Sequence, residues 1–149
     1  MECKYNSRSG VTLLEILLVV SIIAIVSGFS LPVYEIFKNK NDLGLGATLS
    51  ANALRRAFEL AMASDGDTNW GVKFVTSSII IFKGNSFASR GQSFDEKSDI
   101  SSNISITDTN EVLFQKYSGL PTAETTTTLT SSNGETATIH VNLKGAIIY

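Results

Sequence analysis

The sequence is short of the residues that most site chemistry needs. It has one cysteine, Cys3, which cannot form an internal disulfide, and one histidine, His140, which rules out a multi-histidine metal centre. Charged residues make up 17% of the 149, and 12 basic against 14 acidic side chains leave a net charge of -2. No broad cationic surface follows from that balance, so nucleic acid is not an expected partner. No glycine-rich phosphate loop, metal-ligand cluster or nucleophile elbow is present, so neither a cofactor nor an enzyme is expected. Asp65, Asp67, Asp95, Glu96 and Asp99 are acidic, but no run fits a calcium-binding loop. His140 has no serine, cysteine or acidic partner at a recognised spacing and reads as a structural residue. What the chain does have is 43% hydrophobic residues, enough to fold, and a length suited to one domain with an appendage.

Much of the apolar content lies in one run. No charge interrupts Ile16 to Tyr34, and at about 1.5 Å per residue such a helix just spans a hydrocarbon core of about 30 Å. A polar leader, MECKYNSRSG, precedes it, with Lys4 and Arg8 outweighing Glu2. Beyond the run, Glu35, Lys38, Lys40 and Asp42 cancel. This bias favours a cytoplasmic N-terminus with the remainder exported. The apolar core is too long for a cleaved secretory signal, whose core is about 7 to 15 residues, and Ser27-Gly28-Phe29-Ser30 is a poor cleavage site. A plain membrane anchor leaves one residue unexplained. Glu15 sits among Leu13, Leu14, Ile16, Leu17 and Leu18, and a carboxylate in lipid is costly without a partner.

Gly10-Val11-Thr12-Leu13-Leu14-Glu15, followed by a long apolar helix, resembles the processing signal of type IV pilins and pseudopilins. The resemblance implies that a membrane-bound prepilin peptidase cuts between Gly10 and Val11 and that the new N-terminus, Val11, is methylated. Glu15 then becomes the fifth residue, the position the family uses for assembly, and Pro32 matches a proline frequent in family helices. Val11 stands where the family usually has phenylalanine. The cut would also remove Cys3, leaving an exported chain without cysteine. Physical reasoning supports the assignment of Glu15: an ammonium and a carboxylate about 4 Å apart attract by roughly 4 kcal/mol at an effective dielectric near 20. An acidic residue at mid-membrane costs about 2.5 to 3.5 kcal/mol, so pairing can offset burial. The amine of a neighbouring copy makes that contact head-to-tail, and repetition grows a filament.

Helical patterning continues after Pro32. Ala47, Ala51, Leu54, Phe58 and Ala61 fall at steps of four and three and form one stripe. A single helix is expected from about Val11 to Ala63, kinked or locally melted at Pro32, and ended by Asp65-Gly66-Asp67. The period then shortens to two. Strands are expected around Val72–Phe74, Ile79–Phe82, Ile104–Ile106, Val112–Phe114, Thr125–Leu129, Thr138–Val141 and Ala146–Ile148. Asn133-Gly134 predicts a hairpin turn, and Trp70 and Phe74 are candidate core anchors. The polar, serine-rich stretch 84–103 reads as a long loop. The expected fold class is α+β, a long N-terminal helix packed on an antiparallel sheet. Its parts are a leader (1–10), a membrane-spanning or filament-core helix (11–34), and an amphipathic helix plus exported sheet domain (35–149). The closing pattern Ile139-His140-Val141-Asn142-Leu143-Lys144-Gly145 and the Ala47–Ala57 helix stretch resemble the H-type minor pseudopilins of type II secretion and their pilus counterparts (GspH/FimT).

That resemblance implies a non-enzymatic subunit held in the cytoplasmic membrane and then extracted into a pseudopilus. Its implied partners are prepilin peptidase, sister pilin subunits, the membrane and secreted cargo. A minor type IV pilus subunit and a membrane-anchored binding module that never assembles are the alternatives.

Overall fold

A computed structural model of the chain describes residues 10–107 and 111–149, without the side chains of residues 29–32. It contains two compact units, Met1–Ile36 and Phe37–Tyr149. The helix α1, Leu13–Met62, contributes to both. The expected span of 11–63 differs from it by two residues at the start and one at the end. The kink expected at Pro32 falls on side chains outside the described residues; the backbone there is helical.

Among the described residues of the larger unit eight strands follow: β1 (Trp70–Val75), β2 (Ser78–Lys83), β3 (Glu96–Asp99), β4 (Ile104–Thr107), β5 (Glu111–Phe114), β6 (Thr125–Ser131), β7 (Thr136–Val141) and β8 (Ile147–Ile148). They form two antiparallel sheets rather than one, ordered β3-β2-β1-β5 and β4-β6-β7-β8. Consecutive strands β4 and β5 belong to different sheets, because β4 pairs with β6 while β5 returns to β1. A period of two identifies a strand and its buried face but not its partner, so sequence patterning leaves this division open.

The helical stripe is where the period places it. Ala51, Leu54 and Ala61 are fully buried, Ala47 nearly so, and Phe58 packs partly buried against the same core. The other wall comes from both sheets: Trp70, Val72, Phe74, Ile79, Val112 and Phe114 from one, Ile104, Leu129, Ile139 and Val141 from the other. Small residues let the helix come close; Gly46 lies against the tips of Ile104 and Leu129. Asn133-Gly134 turns β6 into β7, with Gly134 at φ 86° and the Asn133 side chain accepting the Glu135 N–H at 3.1 Å.

The stretch 84–103 is not a plain loop. It holds a short 3-10 turn, Gln92–Phe94, and then β3, an edge strand hydrogen-bonded to β2. Its sequence, Glu96-Lys97-Ser98-Asp99, lacks apolar alternation because almost all of it faces solvent. The segment before it covers the outer face of the first sheet. Phe87 stacks edge-on against buried Phe82 with centroids 5.6 Å apart. Arg90 fixes this cover: its guanidinium lies 3.6 Å from the Phe87 ring centre, and its Nε donates to Asp95 at 2.8 Å.

Residues far apart in sequence close the end of α1. Its last turn has no basic residue, and the chain leaves through Ser64 in a left-handed conformation, φ 55°. The Tyr117 N–H, from the β5–β6 connection, donates to the Ala61 carbonyl at 3.0 Å. Asp67 holds that connection by accepting from Lys116 Nζ and from the Tyr117 hydroxyl, each at 2.9 Å. These bonds, the lysine's first, keep the Asp67 carboxyl below its ordinary 3.8, and the bond to Asp67 raises Lys116 above 10.5. The Asp67 contribution is therefore present above 3.8 and lost as pH falls through its lower folded value; that of Lys116 is present below 10.5 and lost as pH rises through its higher one. The Tyr117 ring and amide signals are expected to move in acid below pH 3.8, and an Asp67→Asn variant should show no such step in an NMR titration.

Candidate functional site

Gly10, Val11 and Thr12 are non-helical and exposed, and α1 begins at Leu13. The boundary is set by Thr12. Its hydroxyl accepts the Glu15 backbone N–H at 3.2 Å, and its carbonyl accepts the Glu15 and Ile16 N–H groups at 3.1 and 3.2 Å. Thr12 is thus an N-cap, and Glu15 occupies the third helical position, as in the first half of a capping box. Glu15 stands out in the sequence and Thr12 does not; the signal for the cap is the spacing of a threonine three residues before a glutamate.

The Glu15 carboxylate is exposed in the first turn, where the positive end of the helix dipole favours it. Among the described residues it has no ion-pair partner. Val11, Glu15, Ile16, Val19 and Val20 line a shallow recess of about 190 Å³, so the residue after the expected cut and the expected assembly carboxylate share one surface. Around them the helix is apolar on every side: Leu13 is 79% exposed, and Leu17, Ile22 and Ile25 are open as well. A helix that is greasy all round needs lipid or other helices as its surroundings. By length and composition this one can cross a membrane. Its Ser21 hydroxyl donates internally to the Leu18 carbonyl at 2.7 Å, which makes burial in an apolar medium cheaper. Residues 1–9, which make up most of the expected leader and include Cys3, Lys4 and Arg8, lie outside the described residues.

Other candidate groups are engaged elsewhere. Asp67 pairs with Lys116, Asp95 with Arg90, Glu96 with Arg56 and Asp99 with Lys97. Among the described residues no three His, Cys, Asp or Glu side chains gather to hold a metal. Scattered cations also have internal contacts: Arg55 lies over Tyr149, Lys73 over Phe87 and Lys83 over Phe94. His140 does have an acidic neighbour, which no known spacing revealed. Its Nε2 meets Glu124 at 3.0 Å, and its Nδ1 lies 3.3 Å from the Thr126 hydroxyl. The histidine and glutamate side chains are 35% and 56% exposed, so water competes for these bonds and their polarising power is small.

Comparison with known proteins bears on the same two regions. Residues 5–31 match the family model described as the prokaryotic N-terminal methylation motif. Among solved structures, the chain is similar to the minor pseudopilin EpsH from the type 2 secretion system of Vibrio cholerae. That likeness has a TM-score of 0.54 and 12% identity, and covers 72% of this chain and 94% of that one. No curated protein matches the sequence. The fold is accordingly α+β and pilin-like, a long N-terminal helix on antiparallel sheets, and a methylation motif occupies its apolar start.

Proposed function

We propose that this chain is a minor pseudopilin, processed by a prepilin peptidase and assembled with sister subunits into the pseudopilus of a type II secretion system. The observation that carries the proposal is Glu15, without an ion-pair partner among the described residues, at the start of an exposed apolar helix and inside the matched methylation motif. Such a helix is stable in two surroundings, the bilayer before assembly and a bundle of like helices after it. The carboxylate gives that bundle an axial register by meeting the terminal amine of a neighbour. The likeness to EpsH, a subunit of a type 2 secretion system, is what the secretion reading draws on.

In this reading the chain is a structural subunit. The leader, residues 1–10, stays on the cytoplasmic side until it is cut after Gly10. Val11 becomes the methylated N-terminus, residues 11–34 form the filament core, and residues 35–149 face the periplasm and contact sister pilins or cargo. The intact mass of the protein recovered from membranes is the direct test. It should correspond to a chain that starts at Val11 and carries one added methyl group. A mass that retains Met1 would instead indicate a membrane-anchored module that never assembles.

A further inference from the structure

We propose that Thr12 is a positioning residue for leader removal: by capping α1 it keeps the Gly10–Val11 peptide bond outside the helix, in a form that a peptidase can grip. The inference rests on the reading of the chain as a prepilin. Proteases and other peptide-binding sites take substrates as extended backbone, whose free N–H and C=O groups bond to the site. A helix removes those groups from use. Were α1 continued back by two residues, the Glu15 N–H would bond to the Val11 carbonyl and the Leu14 N–H to the Gly10 carbonyl. The second of these is the scissile carbonyl.

Thr12 prevents this by supplying its own hydroxyl, and its own carbonyl, to the Glu15 N–H. Among the described residues no backbone bond reaches the Gly10 or Val11 carbonyl. Among the described residues nothing crowds the site either: a side-chain carbon placed on Gly10 would meet none of their atoms within 4 Å. In the cut, water adds across the amide. Its hydroxyl joins the Gly10 carbonyl carbon, the bond to the Val11 nitrogen breaks, and that nitrogen takes the proton. The same cap then serves the product, because the new amine, on Val11, lies two residues ahead of the helix and stays free to reach another subunit's carboxylate.

The test uses the full chain in membranes with a prepilin peptidase and compares initial rates of leader loss. Thr12→Ser and Thr12→Asn retain a capping group and should be processed within about two-fold of the native rate, whereas Thr12→Ala and Thr12→Val should be slower by about five-fold, the population shift that follows from losing an N-cap. Hydrogen exchange in the uncut chain should report the cause: the Leu14 amide, which has no backbone partner among the described residues, should gain protection in the alanine and valine forms by bonding to the Gly10 carbonyl. Equal rates across the four variants, with Leu14 protection gained only in the alanine and valine forms, would overturn the inference. If the native chain itself is not cut after Gly10, the prepilin reading fails first, which the native control reveals separately.

Discussion

Glu15→Ala is expected to leave leader removal intact while reducing incorporation into filaments by about a hundred-fold or more. Cleavage persists because Thr12 bonds to the backbone N–H of residue 15, which alanine retains. Assembly fails because each neighbour's terminal amine would be buried among apolar side chains without its counter-charge. Breaking a buried ion pair on one side costs about 3 to 5 kcal/mol, and every 1.4 kcal/mol or so is a factor of ten in an equilibrium. Glu15 is accessible for the proposed contact: it is exposed, in the first turn, and borders the same recess as Val11. Sedimentation of sheared filaments, read alongside the mature mass, separates the two steps. Incorporation of the alanine variant at the native level would rule out the amine–carboxylate contact as the source of register.

Phe114→Ala is the second large effect, and it acts on the exported unit. Phe114 is fully buried on β5, is directly paired with Trp70 of β1, and meets the Phe58 ring of α1 edge-on, with centroids 6.2 Å apart and planes at 84°. It joins the helix to the first sheet. Truncating a buried phenylalanine costs about 3 to 5 kcal/mol through lost transfer energy and the cavity left behind, against about 5 to 15 kcal/mol for a whole domain. Thermal unfolding of the chain in detergent, followed in the near-ultraviolet, should show a midpoint well below that of the native protein. A change of less than about 1 kcal/mol would mean that this ring is not the bridge described.

The features most legible in the sequence are those with a strong local signature. The stripe Ala47, Ala51, Leu54, Phe58 and Ala61 announces its buried face because side chains recur with the helical period. Asn133-Gly134 announces its hairpin because the turn needs φ values that few residues adopt. Glu15 is conspicuous as the lone acid in an apolar run. What is hidden depends on distant partners. Strand β3 has no apolar alternation, since it is held by backbone bonds to β2 and exposes most of its side chains. The division into two sheets turns on β5 returning to β1 across the chain. Glu124 beside His140, and Tyr117 closing the end of α1, are likewise consequences of folding rather than of spacing. Thr12 was readable, but its significance emerges only when the helix start is fixed to a single residue.

Strand β3 bears on crowding. It is the outer member of its sheet, and its backbone could template a strand from any molecule lying alongside. Glu96, Lys97 and Asp99 put mixed charge on that rim, with Glu96 tied to Arg56 and Lys97 to Asp99. An approaching strand would have to strip water from these groups. Where many copies stand shoulder to shoulder, such a rim protects solubility: it discourages sticky lateral zippering and leaves the greasy shafts as the place where the molecules cohere.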